Sequence, residues 1–236
     1  MTTGDAGFDP EPATADDVAH WGETVREECT STLWLLHDRL SALPEAVCES
    51  VQRLIGEKGR LLREIGAVSR LRPAFAKTRF HGDLHLGQLL LVQNDFVITD
   101  FEGEPARPLA QRRSKSCVLR DVAGMLRSFN YAALSTLKRL TAERASDREV
   151  LEPHVRTWER RARAAFLSGY REGVAGAPSY PADEAQAQAL IDFFTLEKAL
   201  YEVRYELDNR PGWIDIPIGG LLALVARDKA GGAQGG

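Results

Sequence analysis

Apolar residues recur at three- and four-residue intervals over most of the chain, with polar residues between them. That spacing places the apolar side chains on one face of an α-helix. The first two stripes are separated by a single proline, so we expect their helices to form an antiparallel hairpin. The pattern predicts a protein built mainly of helices, at 17–43, 45–68, 119–140, 155–170 and 183–207.

One region has strand character instead. Leu89–Val92 and 96–99 are short runs of β-prone residues separated by 93–95, which predicts a hairpin with a three-residue loop. We expect it to be the only sheet. Extending its ladder places Gln88 opposite Asp100, so the predicted fold class is α+β, predominantly α.

The two ends of the chain differ in composition from its centre. Residues 1–15 are rich in proline, glycine and aspartate, which is typical of a linker or the remnant of an upstream segment, and order should begin near Asp16. Residues 227–236 are glycine-rich and should form a flexible tail. We therefore expect one folded domain at 16–226.

Composition narrows the class of protein. The net charge of -4 and the pI near 5.8 provide no basic field, so nucleic acid is not an expected partner. The three cysteines lack a C-x-x-C spacing and read as thiols of a reducing compartment. The first residues do not resemble a signal peptide, and no apolar run is long enough to cross a bilayer, so we expect a cytoplasmic protein without membrane contact.

Acidic and amide side chains cluster around the predicted hairpin, in the stretches FHGDLHLGQ and ITDFEGEP. Opposed residues of antiparallel strands have Cβ atoms roughly 4.5–5.5 Å apart, which lets Gln88 and Asp100 bind one hard cation together. Asp83 lies one short loop earlier and is placed to accept a proton from an attacking hydroxyl. The arrangement predicts a magnesium and phosphate site.

These motifs also carry a family resemblance. The spacing H-x-D-x-x-x-x-Q followed by D-F-E resembles the H-R-D-x-x-x-x-N and D-F-G of protein kinases, and HGDLH resembles the aminoglycoside phosphotransferase-like kinases. With DFEGEPARPL, LRDVAGMLRSFNYAA and EKALYEVRYELDNRPGW, the chain is similar to the maltokinases over about 8–217. Nothing before Phe80 resembles an N-terminal kinase lobe.

The resemblance implies a fold and an activity. The chain would be a protein-kinase-like C-terminal lobe with its hairpin at the active edge and the N-lobe absent. It would make maltose 1-phosphate from maltose with ATP and Mg²⁺. Its partners would be maltose and either an N-terminal kinase lobe or an upstream trehalose synthase region.

The same resemblance implies residue roles. Asp83 is the catalytic base, Gln88 and Asp100 bind Mg²⁺, and Glu102 either helps a second metal or is a solvated loop acid. His81 and His85 support the loop; a zinc site of the H-E-x-x-H type would need a helix and a glutamate after the first histidine. The alternative role for Asp83 is to cap a turn, as aspartate often does.

Two further groups are less specific. One face of the last predicted helix carries Glu197, Tyr201, Arg204, Tyr205 and Arg210. The pattern alone is typical of an amphipathic helix, and the resemblance assigns these side chains to sugar binding. A basic cluster at 112–115 either pairs with phosphates or is a solvated loop.

Other functions remain open at this point. Another small-molecule kinase, such as an aminoglycoside phosphotransferase, would share the motifs. A non-catalytic maltose-binding or assembly module that lacks the N-lobe would bind sugar without ATP turnover. A metallohydrolase would need bound zinc.

Overall fold

The computed structural model of the protein describes residues 3–105 and 107–231, the last five of them by their backbone alone. It is mostly helical, with four short strands in two separate pairs, which confirms the predominantly helical α+β prediction. The helices are α1 Ala15–Asp38, α2 Glu45–Gly56, α3 Lys58–Val68, α4 Leu109–Arg112, α5 Leu119–Leu140, α6 Asp147–Gly173, α7 Glu184–Asn209 and α8 Asp215–Gly231. The strands are β1 Glu11–Pro12, β2 Ala76–Lys77, β3 Leu89–Val92 and β4 Asp95–Ile98.

The chain folds as two compact units. The first contains the chain up to Pro12 together with Phe75–Ala182, and the second contains Ala13–Ala74 and the chain from Asp183 onward. Each unit therefore combines segments that are distant in sequence.

In the first unit, α5 packs along α6. Phe129 makes edge contacts with Trp158 and Phe166, with ring centroids 6.5 and 5.7 Å apart. A buried polar contact crosses the same interface, where the Asn130 amide donates to the Glu159 carboxylate at 2.9 Å. The pairing satisfies groups that would be costly to bury alone.

The first unit also holds part of the segment that was expected to be a linker. β1 pairs antiparallel with β2, which is a second sheet that the sequence did not indicate. Two lysines secure it, because the Glu11 carboxylate lies 3.1 Å from Lys77 Nζ and 3.2 Å from Lys115 Nζ. Order therefore begins before Asp16. Two-residue strands carry no periodicity, so the pattern could not reveal them.

In the second unit, α1 packs on α3 and α7. The helix begins with a capping box in which Thr14 and Asp17 exchange side-chain and backbone hydrogen bonds. A Cβ atom added at Gly22 would lie 1.8 Å from Ser69 Oγ, so the close approach of α1 to the end of α3 requires glycine. Burial on nearly all sides makes α7 the central helix of this unit.

One helical prediction was wrong in detail, and the last helix was not predicted. The helix expected at 45–68 is broken into α2 and α3, because Gly56 weakens the helix and the Glu57 amide donates to carbonyls of the preceding turn as a cap. α8 was not predicted, and it contains Pro217. Proline is tolerated at this third helical position because the first amides of a helix have no partner within it.

The predicted flexible tail at 227–236 lies partly outside the described residues, but α8 extends to Gly231. Within the described residues, no helix is long and apolar enough to cross a membrane.

Candidate active site

The loop that carries the H-x-D motif is held by α5. The Asp121 carboxylate accepts from the backbone amides of His81 at 2.7 Å and Gly82 at 2.9 Å. Two helical turns further along α5, the Ser128 hydroxyl accepts from the Leu86 amide at 2.9 Å. Three backbone amides of the loop are thus fixed by side chains of a single helix.

Glycine is required at two points of close approach. A Cβ atom at Gly124 of α5 would lie 2.6 Å from the Leu84 carbonyl oxygen, so this turn of the helix admits no side chain. Gly82 has φ +85, and a Cβ there would lie 3.2 Å from Gly103 Cα. The loop can therefore lie flat between α5 and the segment that follows β4.

His81 connects the loop to the end of β4. The ring is buried, its Nε2 lies 2.8 Å from the Thr99 carbonyl oxygen, and its Nδ1 accepts from the Asp83 amide at 3.3 Å. A carbonyl can only accept, so Nε2 carries the proton and the ring is the neutral Nε2–H tautomer. Phe101 covers the ring at a centroid distance of 4.9 Å. These are the contacts of a histidine that orients the loop.

Asp83 and His85 lie beyond this anchor. The His85 Nδ1 accepts from the Gly87 amide at 3.0 Å, so this ring caps the short 3-10 turn before β3. Its Nε2 lies 4.0 Å from Asp83 Oδ2, and the aspartate side chain is 20% exposed. The Asp83 carboxylate is therefore reachable from solvent while its backbone is fixed.

The register of the hairpin differs from the prediction by one residue. Val92 pairs with Asp95, and the turn has two residues, Gln93 and Asn94, with φ of 49 and 68. Asparagine tolerates the left-handed conformation that a two-residue turn of this kind requires, so the shorter turn is favoured. The predicted three-residue loop, and the direct pairing of Gln88 with Asp100, were wrong.

The two predicted ligands are nevertheless in contact. The backbone carbonyl oxygen of Gln88 accepts from the backbone amide of Thr99 at 3.0 Å, which continues the hydrogen-bond ladder of the hairpin. Asp100 then has φ +64, and its Oδ2 accepts from Gln88 Nε2 at 2.9 Å. A strained, left-handed residue directly after a strand at a candidate site is the kind of backbone outlier that often has a functional cause.

The donor set suits Mg²⁺ better than zinc. Gln88 and Asp100 offer two oxygen-bearing side chains at an exposed edge, and Mg²⁺ typically takes one or two such ligands and completes its shell with water and phosphate. In the described part of the chain, no group of three or more His, Cys, Asp or Glu residues could hold a metal. For Glu102 the structure shows a backbone role, since its carbonyl accepts from Arg112 at 3.2 Å.

Part of the basic cluster at 112–115 is bound to other residues of the protein. Lys115 binds Glu11 and the Ala6 carbonyl oxygen, the latter at 2.6 Å. Arg113 accepts at its carbonyl oxygen from Arg79. Arg112 borders the segment after Asp100, where its own Cβ lies 3.4 Å from a Cβ built at Gly103.

The helix residues assigned to sugar binding lie on α7, in the second unit, whereas Asp83, Gln88 and Asp100 lie in the first. Glu197, which was placed on the polar face of its helix, is only 4% exposed because α7 is the central helix of its unit.

The other members of this set have protein partners too. Arg204 donates to the Ser31 hydroxyl at 3.0 Å. Arg210 makes a bidentate contact with the Glu206 carboxylate and lies over the Tyr205 ring. The Tyr201 and Tyr205 rings are stacked at 6.5 Å, with the latter 44% exposed. Both arginines are therefore bound to other residues of the protein, Arg204 within α7 and Arg210 directly after it.

Asp121 is the residue that the sequence did not single out for the loop. Its place near the start of α5 was attributed to the helix dipole alone. Burial raises the pKa of this carboxyl group, and the two backbone amides that it accepts from act in the opposite direction. An acid at a helix start gives no signal of a partner forty residues earlier, so the pairing was not predictable.

The chain is similar to known proteins over most of its length. No family model matches the sequence. The chain is 28% identical to a glucosamine kinase of Streptacidiphilus jiangxiensis over 214 residues, which are 91% of the chain and 44% of that protein. It is 30% identical to a glucosamine kinase of Mycolicibacterium smegmatis over 217 residues, 91% of the chain and 48% of that protein. The chain thus spans about half the length of the relatives it matches.

Solved structures agree on the fold. Crystal form B of a glucosamine kinase matches with a TM-score of 0.70 and 25% identity, over 93% of this chain and 48% of that one. A glucosamine kinase in complex with glucosamine, ADP and inorganic phosphate matches with a TM-score of 0.71 and 24% identity, over 95% and 51%. The chain is therefore similar in fold to about half of each of these two structures.

These findings correct the resemblance to maltokinases. Both relatives are named for glucosamine, so the expected phosphorylation of maltose was wrong, as were the links to trehalose and glycogen. The expected partners, maltose with an N-terminal lobe or a trehalose synthase region, were wrong on the same finding. The motifs that carried the resemblance lie around Asp83 and Asp100, and they do not by themselves specify which sugar is the acceptor.

Proposed function

We propose that this chain carries the phosphoryl-transfer site of an ATP-dependent kinase whose acceptor is glucosamine or a closely similar amino sugar. The observation that supports it most is the loop that carries Asp83, which His81 joins to Thr99, one residue before the Asp100 that contacts Gln88. The similarity to two glucosamine kinases over 91% of the chain supports the acceptor.

Asp83 is the proposed catalytic base. Its backbone is held by His81, which is itself fixed to β4, so the carboxylate is positioned before substrate arrives. It would accept a hydrogen bond from the attacking hydroxyl of the sugar and align that oxygen with the transferred phosphoryl group. General-base contributions of this kind are typically about 10²–10⁴-fold in rate.

Gln88 and Asp100 are the proposed residues for the cation. When bound, Mg²⁺ would supply neutralisation of the phosphate charge. The contact between Gln88 Nε2 and Asp100 Oδ2 keeps the two side chains together at one edge of the hairpin. Asp100 would contribute the charge, and Gln88 would contribute orientation. Glu102 remains a candidate for a second cation.

The test is to substitute the base while keeping its shape. Asp83→Asn should lower glucosamine-dependent ADP formation by at least about 100-fold, with KM for the sugar nearly unchanged, because the amide can donate or accept a hydrogen bond but cannot accept the proton. Asp16→Asn, an exposed aspartate in the first turn of α1, is the matched control and should leave the rate unchanged.

A second variant separates the cation role. Asp100→Asn should raise the Mg²⁺ concentration needed for half-maximal rate, whereas Asp83→Asn should not. If Asp83→Asn retains most of the activity, this residue is not the base, and if both variants show identical Mg²⁺ dependence, the division of roles is wrong.

A further inference from the structure

The second unit contains an open groove between α1 and the junction of α2 with α3. Its volume is about 740 Å³, within the range of pockets that bind small molecules. Leu33 and Ile55 provide apolar lining, and polar side chains of α1 surround them. The groove is formed within one unit by residues that the proposed transfer site does not use.

An exposed tryptophan borders this groove. Trp34 is 66% exposed, whereas Trp21 of the same helix is 8% exposed and packs against Phe194 at 5.8 Å. Tryptophan is usually highly buried, so a flat indole left open beside a cavity is a feature that packing of the helix does not explain. Such a ring offers an apolar face for a ligand and an N–H for a hydrogen bond.

The polar lining offers acceptors beside the ring. Thr30 Oγ1 donates its proton to the Arg26 carbonyl oxygen at 2.9 Å, so this hydroxyl can bind a ligand as an acceptor. Ser31 is one residue further along and is held by Arg204. Both hydroxyls have fixed rotamers, which lowers the entropic cost of binding a ligand.

The charges of the groove cancel. Glu23 and Glu27 contribute two negative charges, and Arg26 and Lys58 contribute two positive ones, with histidine counted as neutral. Arg26 and Glu23 lie 3.4 Å apart as an ion pair. A groove without net charge does not select an ion, but it supplies donors and acceptors of both kinds to a neutral polar ligand.

From the flat exposed ring, the fixed hydroxyls and the balanced charges, we propose that this groove binds a neutral saccharide. Sugars combine apolar C–H faces, which stack on an aromatic ring, with hydroxyl groups that both donate and accept. This site is separate from the proposed transfer reaction, which concerns a cationic amino sugar.

The test measures binding without turnover. Glucose, isomaltotriose and cellotriose are titrated into the protein by calorimetry, with saturation-transfer NMR to identify the sugar protons in contact. We expect saturable binding of at least one trisaccharide with Kd below about 1 mM. Trp34→Ala should weaken it about tenfold or more. Trp158→Ala, which removes a 48% exposed tryptophan from the other unit, should leave it within about twofold.

Charged analogues test the class of ligand. Glucosamine and glucose 6-phosphate should bind this groove less tightly than glucose, and Trp34→Ala should not alter phosphoryl transfer. The proposal is overturned if no neutral sugar binds saturably, if Trp34→Ala leaves binding unchanged, or if either charged sugar depends more strongly on Trp34. Loss of transfer in Asp83→Asn with sugar binding intact would leave this proposal standing on its own.

Discussion

Removing the Asp121 carboxylate should loosen the catalytic loop and destabilise the first unit. Asp121→Ala leaves the His81 and Gly82 amides, bonded at 2.7 and 2.9 Å, without their acceptor. Each unsatisfied buried amide costs about 1–3 kcal/mol, and the partly buried charge that disappears offsets some of this. We expect a net loss of about 2–4 kcal/mol in the free energy of unfolding.

The unfolding free energy that is lost in Asp121→Ala should be larger at low pH than at neutral pH. Burial raises the pKa of Asp121 in the folded protein, so its contribution to stability is complete below the ordinary aspartate pKa and declines as pH rises through the raised value. The difference between wild type and Asp121→Ala should therefore be larger near pH 3.5 than at pH 7, two conditions that lie on either side of the ordinary aspartate range.

Urea unfolding at both pH values, together with amide hydrogen exchange read by NMR, measures both effects. The amides of His81 and Gly82 should exchange much faster in the variant, while those of α7 should not. Asp38→Ala, an exposed aspartate at the end of α1, is the control and should change stability by less than about 0.5 kcal/mol. Unchanged protection of the two loop amides would refute the assigned role of Asp121.

Three other properties follow from the same structure. Substituting Leu91 and Phe96 by serine, a cross-strand pair 68% and 67% exposed, should change the unfolding free energy by less than about 1 kcal/mol in urea titrations. Because these side chains form an exposed apolar surface, the same variant should self-associate less in analytical ultracentrifugation; greater association would contradict this. Arg210→Lys should cost about 1–2 kcal/mol in thermal unfolding, since lysine cannot reproduce the two-bonded contact with Glu206, and an unchanged melting temperature would count against it. At pH 8 the native protein should react with a thiol reagent only at the partly exposed Cys48, because burial raises the pKa of the other two thiols to about 11 and about 12. Rapid reaction of all three would show that the core opens.

The long helices were predictable because their apolar spacing is local. α5 spans Leu119–Leu140 as the stripe indicated, and α7 begins within a residue of the expected start. The hairpin was predictable as an element but not in register, because the choice between a two- and a three-residue turn depends on whether Gln93 and Asn94 adopt positive φ. The spacing of apolar residues gives no information about that choice.

The candidate site was predictable where the motif is contiguous in sequence. Gln88 and Asp100 lie in contact although the reasoning about their pairing was wrong, because the left-handed conformation of Asp100 compensates for the shifted register. Burial of Glu197 and the support that Asp121 gives to the loop depend on tertiary packing across many residues. The acceptor could not be deduced either, since motifs for phosphate transfer do not specify the sugar.

Hydrogen bonds to the backbone, more than charge pairs, define this site. The loop before Asp83 is held by an aspartate, a serine and a neutral histidine ring, each bonded to main-chain groups. Such contacts fix position without neutralising the carboxylate of Asp83, the proposed base. They also suit a reaction in which catalysis depends mainly on alignment and on stabilising charge at the phosphates.

A competition assay between acceptors tests the proposed phosphorylation of glucosamine and the role of Asp83 in it. The purified protein is incubated with Mg²⁺ and ATP in an equimolar mixture of glucosamine, glucose and an aminoglycoside, and the phosphorylated products are identified by ³¹P NMR and mass spectrometry. We expect glucosamine phosphate to be the main product and to disappear in Asp83→Asn. A main product from either of the other acceptors, or glucosamine phosphate formed undiminished by the variant, would contradict it.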